Sequence, residues 1–174
     1  VRGFQAPSDG SNVDLLPFAL DIETWNNLIA NVGTDVWNWN PTSKTISAGA
    51  DGLVEVNLFP QGTGSPGNRG TVDIGSNSNS TADLADQILN GVSPADLAFH
   101  GGTLEFNAEG KLILNGDTGI SAGVKDELAA IKGQPRTIPI FESVSGNGNN
   151  AMYTIVKWQG IRIMEVKLTG AMSQ

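Results

Sequence analysis

Apolar and polar positions along this chain repeat at two periods, and the period changes several times between residue 15 and residue 168. Leu53-Val-Glu-Val-Asn-Leu-Phe59 alternates, setting Val54, Val56 and Leu58 on one face of an extended run that Pro60 closes. It is the clearest strand pattern of the first half. Val36-Trp-Asn-Trp39 also alternates and meets Asn40-Pro41, a turn signal, so Lys44-Thr-Ile-Ser47 is expected to return as the second strand of a hairpin. A second hairpin is expected where Thr103-Leu-Glu-Phe106 and Lys111-Leu-Ile-Leu114 flank Asn107-Ala-Glu-Gly110. Strands are further expected over 136–143, 152–158 and 161–168, the last two joined by a tight turn at Gln159-Gly160. At a sheet edge these terminal strands would offer pairing to a partner or a second copy; the preferred reading makes both central and helix-covered.

Helical spacing takes over elsewhere. Asp21 is placed to cap a helix over 22–31, with Trp25, Leu28, Ile29 and Val32 inward and Gly33 past its end. Ser80 and Asp83 form a capping-box pattern for a helix over 81–90, with Leu84, Ile88 and Leu89 inward and Gly91 as stop. Ser93-Pro94 opens one further short helical turn. Ser121 is placed to cap a helix reaching Lys132, with Val124, Leu128 and Ile131 inward; Gly133 and Pro135 end it. Leu15-Leu-Pro-Phe-Ala-Leu20 is apolar and reads as an irregular or edge segment.

Strands and helices do not alternate regularly enough for a doubly wound sheet. The expected fold is α+β, an antiparallel sheet core with three short helices and long Gly/Asn-rich loops. A single domain over 15–170 is expected, after a flexible arm at 1–14 and before a short tail at 171–174. The 22 glycines among 174 residues fit many turns. Five of them fall in 62–75, which contains a G-x-G-x-x-G at Gly62, Gly64 and Gly67. A dinucleotide cradle needs a helix opening behind the last glycine, whereas Thr71-Val-Asp-Ile74 is β-prone. The stretch reads as a structural loop.

Charge narrows the partners. The net charge is −8 with 10 Lys and Arg and no basic cluster, which argues against nucleic acid and anionic membrane surfaces. There is no cysteine, so thiol catalysis, thiolate metal sites and disulfides are excluded. Low charge with abundant Asn, Ser, Thr and Gly suits an exported protein. No run of 18 apolar residues spans a membrane, and the chain begins at Val1 rather than Met, so an upstream signal or anchor is an expectation.

Candidate chemistry is sparse. His100 is the one histidine and lacks a Gly-x-Ser-x-Gly partner motif; it reads as a loop residue bonded to backbone. Zinc lacks ligands. Calcium, which takes oxygen donors, finds weak candidates in Asp117 and Asn115 of one Gly-flanked loop and in Asp51 of another; Asp73 lies in a third. Glu55, Glu105, Glu142 and Glu165 fall on predicted strands, where they read as solvent-facing rather than as a hydrolytic pair. Trp37 and Trp39 share a strand face beside Asn38 and Asn40, a weak sugar-stacking candidate. Asn79-Ser-Thr81 matches a glycosylation sequon. No catalytic or cofactor-binding residue is assigned.

One resemblance covers nearly the whole chain, about residues 15–170. Its segments, in order, are Asp21-Ile-Glu-Thr-Trp-Asn-Asn-Leu28, Glu55-Val-Asn-Leu-Phe-Pro-Gln-Gly-Thr-Gly-Ser-Pro-Gly-Asn-Arg-Gly-Thr-Val-Asp-Ile-Gly75, Ala82-Asp-Leu-Ala-Asp-Gln-Ile-Leu-Asn-Gly91, Asn115-Gly-Asp-Thr-Gly-Ile-Ser-Ala-Gly-Val-Lys-Asp-Glu-Leu128, Ile138-Pro-Ile-Phe141, Ser145-Gly-Asn-Gly-Asn-Asn-Ala-Met-Tyr-Thr-Ile-Val156 and Ile161-Arg-Ile-Met-Glu-Val-Lys-Leu-Thr-Gly170. The order resembles the extracytoplasmic region of Tad/Flp pilus-assembly proteins of the TadG-like type. That resemblance implies a non-enzymatic, extracytoplasmic component of a surface filament or its assembly machinery. Its partners would be other pilus or envelope proteins, or a second copy. It also implies a membrane anchor upstream of Val1. It carries over no catalytic residue.

Overall fold

The computed structural model describes residues 2–58 and 69–168. In chain order these form β1 (Gly3–Gln5), β2 (Phe18–Asp21), α1 (Ile22–Ile29), β3 (Trp37–Asn40), β4 (Thr45–Ala48), β5 (Arg69–Val72), α2 (Thr81–Asn90), α3 (Pro94–Phe99), β6 (Thr103–Glu105), β7 (Leu112–Asp117), α4 (Lys125–Ala130), β8 (Pro135–Ser145) and β9 (Ala151–Arg162). The α+β class holds. The sheet closes on itself in the order β2-β5-β7-β9-β8. Every neighbouring pair is antiparallel except β2 and β8, whose parallel pairing seals the barrel with Leu20 beside Ile140.

Two cores follow from the alternation of side chains across the barrel wall. Inside lie Ala19, Val72, Leu114, Phe141, Ala151, Tyr153 and Ile155. Outside, Phe18, Leu20, Ile138 and Ile140 are buried with Leu84 and Ile88 of α2 and with Val124, Leu128 and Ile131 in and around α4. Leu15-Leu-Pro-Phe-Ala-Leu20, expected as an irregular or edge segment, therefore supplies a fully paired barrel strand. Its side chains alternate between the two cores, which is why the run is apolar without a gap.

The local chemistry of α1, α2 and α3 matches their sequence signals, whereas α4 opens at Lys125 without a side-chain cap, Ser121 instead accepting from Gly123 N at 3.2 Å ahead of a short 3-10 turn. Asp21 accepts a hydrogen bond from Thr24 N at 3.0 Å, and both Ser80–Asp83 and Ser93–Asp96 form reciprocal capping boxes. The faces are narrower than expected. Ile29 and Val32 are both 62% exposed, and Leu89 also faces solvent, so only part of each apolar stripe is buried. The Pro94 segment is a fourth helix among the described residues.

Several strand expectations change. Residues 53–58 do not form a strand, and a single bridge joins Glu55 to Thr34. The Asn107-Gly110 turn is present, with Asn107 N donating to Lys111 O at 2.9 Å, but its two arms part. β6 pairs with β1, while β7 enters the barrel. Of the stretch 1–14, expected as a flexible arm, residues 2–14 are docked: besides β1, Val13 bridges Val92, and Phe4 packs edge-on against Trp158 at 5.0 Å. Gln159-Gly160 is no turn, because β9 runs through it to Arg162 paired with β8. The β3–β4 hairpin is as expected, with Trp39 opposite Ile46. The glycines at 62, 64 and 67 lie outside the described residues, as does the tail at 171–174. Among the described residues no helix is long and apolar enough to cross a membrane.

Candidate functional site

The barrel interior dictates which side chains face outward at β5 and β7. A Cβ added at Gly70 or at Gly116 would meet the Tyr153 ring, so both glycines point inward, and Val72 and Leu114 follow them. Alternation then turns Thr71 of β5 and Asp73, the residue just past it, outward, and likewise Asn115 and Asp117 on β7. Register completes the placement: Thr71 lies opposite Asp117, and Asp73 N donates to Asn115 O at 2.8 Å. Two carboxylates, a hydroxyl and an amide thus share one patch of the outer wall.

The turn before α2 roofs this patch. Asp73 Oδ1 accepts from Asn79 N at 3.0 Å, and Asn115 Nδ2 donates to Asp73 Oδ2 at 3.2 Å and to Asn77 O at 2.6 Å. Buried Gln87 of α2 ties the turn down, donating to Ile74 O at 2.7 Å and accepting from Asn79 Nδ2 at 3.2 Å. From the other side Thr118 N donates to Gly148 O, bringing the turn containing Asn149 alongside. The result is a cleft of about 300 Å³ lined by Thr71, Asp73, Asn79, Asp117, Ser121 and Asn149 among others.

Burial pushes the Asp73 carboxyl above the usual carboxylate range; the hydrogen bond from Asn79 N opposes this, and the charge of Asp117 adds to it. Burial likewise holds the Tyr153 phenol above its ordinary value, again with Asp117 contributing. Among the described residues no group of three or more His, Cys, Asp and Glu side chains converges on one point.

The sequence candidates divide on this geometry. Asp117 lines the cleft, and Asn115 stands beside it with its amide donating to Asp73, but both are on a strand and not in the loop expected for them. Asp51 does not line the cleft. Its carboxylate accepts from Trp39 N at 3.1 Å and Leu53 N at 3.0 Å, so it serves the backbone around the β3–β4 hairpin. Asp73, expected in a separate loop, is the member that register brings in. The chain carries one local mark of this arrangement: Gly70 stands three positions before Asp73, and Gly116 directly precedes Asp117.

Trp37 and Trp39 do not form an open platform. The Arg162 guanidinium covers the Trp39 ring at 4.0 Å while Nη1 donates to Gly133 O at 2.7 Å, fastening the hairpin to the barrel. The four glutamates stay apart in role. Glu55 accepts from Val36 N at 2.9 Å, Glu142 pairs with Lys111, Glu165 with Lys132 at 3.3 Å, and Glu105 is exposed on β6. Asn79 of the sequon is half-buried, with its amide engaged by Gln87.

His100 sits at the end of α3, and its Nε2 accepts from Gly75 N at 3.0 Å, pinning the start of the cleft turn. Burial lowers its proton affinity, partly offset by Asp96. A base with a depressed folded-state pKa binds its proton more readily unfolded, so its contribution is full above about 6.5 and is lost as pH falls below it. Melting scans between roughly pH 7.5 and 5 should show stability falling, and His100→Gln should flatten that slope. An unchanged slope in the variant would remove this assignment.

Comparison with protein families, with characterised proteins and with solved structures finds no match to this chain.

Proposed function

We propose that this chain is a non-enzymatic extracytoplasmic component of a Tad/Flp-type pilus or surface-filament assembly system, acting by packing against other pilus or envelope proteins. The ordered resemblance over residues 15–170 motivates the reading. The observation that carries it is a run of exposed apolar side chains on the excursion between α1 and β5. Ile29, Val32, Val36 and Leu53 are each more than half exposed, and the Thr34–Glu55 bridge holds the segment of Val36 alongside that of Leu53. Exposed aliphatic side chains grouped on one excursion favour a protein partner. Over Ala151–Ile155 both edges of β9 are occupied, by β7 and β8, which disfavours self-association by strand pairing there. Sugar stacking has no support from Trp39, whose face Arg162 covers.

Leu53→Asp and Val36→Asp test the reading, since solvent-facing substitutions should move stability by no more than about 0.5 kcal/mol. The expected result is an unchanged melting midpoint with loss of surface filaments, counted by electron microscopy of cells carrying the variant. Normal filaments in cells from which the whole region has been deleted would refute it.

A further inference from the structure

We infer that the cleft lined by Thr71, Asp73, Asn79 and Asp117 is a binding site for one hard divalent cation, with calcium the best fit. This goes beyond the assembly reading and does not depend on it. Three features of the cleft point the same way. Its donors are oxygens: two carboxylates, a hydroxyl and amide carbonyls, without thiolate or imidazole, which is the set calcium takes and softer metals do not.

Its charge is also uncompensated. Among the described side chains the salt bridges are Lys111–Glu142 and Lys132–Glu165, and neither involves the cleft. Asp73 is only 5% exposed, and a buried carboxylate beside a second one needs a cation or a proton.

The third feature is unused coordinating capacity. The Thr71 side chain is turned into the cleft in a residue only 2% exposed, and among the described residues its hydroxyl makes no hydrogen bond. Thr71 lies opposite Asp117 in register and lines the same cleft as Asp73, so this unused oxygen belongs to the cleft that holds both carboxylates. Asp117 uses Oδ1 to accept from Gly119 N at 2.9 Å, leaving Oδ2 without a partner among the described residues. Asp73 uses each oxygen once, so each retains a lone pair. Calcium tolerates irregular geometry and a water-completed shell, whereas magnesium demands a near-ideal octahedron, so two carboxylates on adjacent strands suit the larger ion. With two charged ligands the dissociation constant should lie on the order of 0.1–1 mM, the range of extracellular calcium modules.

The test uses the whole chain at matched ionic strength, with calcium chloride, magnesium chloride or chelator, read by thermal melting and isothermal titration calorimetry. About 10 mM calcium should raise the wild-type midpoint by roughly 5 °C, and titration should show one site. Asp117→Asn keeps an acceptor for Gly119 N, and Thr71→Val keeps shape while removing the hydroxyl. Both should retain the wild-type circular dichroism spectrum, with Asp117→Asn lowering calcium affinity at least roughly 10-fold. No heat and no shift in the wild type up to about 20 mM calcium would overturn the proposal. So would a calcium shift retained in full by folded Asp117→Asn.

Discussion

Gly70→Val should prevent the chain from reaching its barrel, lowering stability by at least about 3 kcal/mol and giving largely insoluble or molten protein. Gly70 faces the barrel interior, where even one added Cβ would collide with the Tyr153 hydroxyl, lie 2.5 Å from Cζ, and lie 2.6 Å from Asp117 O. None of these can move cheaply. Asp117 O belongs to a paired strand, and Tyr153 is 0% exposed with Phe141 edge-on at 4.9 Å. Gly116 stands on the neighbouring strand, with Tyr153 ring carbons 3.0 Å from its would-be Cβ, so the tyrosine occupies space vacated by two glycines. Gly160→Val is the control: it lies on β9 with nothing within 4 Å of an added Cβ, and its effect should stay within about 0.5 kcal/mol. Circular dichroism and urea titration of the three proteins decide it. In a double-mutant cycle, Gly70→Ala with Tyr153→Leu should cost less than the sum of the single changes. Strict additivity, or a folded Gly70→Val protein of wild-type stability, would contradict this packing.

Phe18→Ala should cost about 3–5 kcal/mol, a large share of the roughly 5–15 kcal/mol that holds a domain of this kind together. Phe18 is 1% exposed on β2, on the outer face of the barrel. It shares that core with Leu84 and Ile88 of α2, Leu128 of α4, and Ile138 and Ile140 of β8. Removing the ring opens a void that three elements frame, and a rigid barrel wall limits their collapse into it. Phe99→Ala, at a residue 49% exposed, should change stability by less than about 1 kcal/mol. Equilibrium urea unfolding measures both, and equal midpoints for the two variants would overturn the placement of the second core.

Local signals in the chain were legible wherever neighbouring residues satisfy one another. Asp21, Ser80 and Ser93 cap helices as their spacing indicates, because each bond closes within three residues. The β3–β4 hairpin was readable for the same reason. Leu53-Val-Glu-Val56 was misleading: alternation records a two-faced strand only if a partner strand arrives, and here one bridge does. Gln159-Gly160 misled in the opposite sense, since its continuation as strand is enforced by pairing with Thr137 and Ile138 of β8. Asn107-Gly110 was right as a turn and wrong as a hairpin, because turn chemistry does not choose which sheet each arm joins.

What the sequence by itself determined is the α+β class, the starts of α1, α2 and α3, the burial of Val124, Leu128 and Ile131, and the absence of thiol chemistry. Those properties depend on composition and on contacts a few residues apart. Tertiary structure alone decided the closure of the sheet through parallel β2 and β8. It also decided the docking of residues 2–14 and the meeting of Asp73 with Asp117, 44 positions apart by number, Asp117 lying opposite Thr71 and so two residues along from Asp73. The physical reason is register. Two inward glycines admit Tyr153, their alternation turns Thr71, Asp73, Asn115 and Asp117 to the same outer face, and no local pattern in either strand encodes which neighbour it will find.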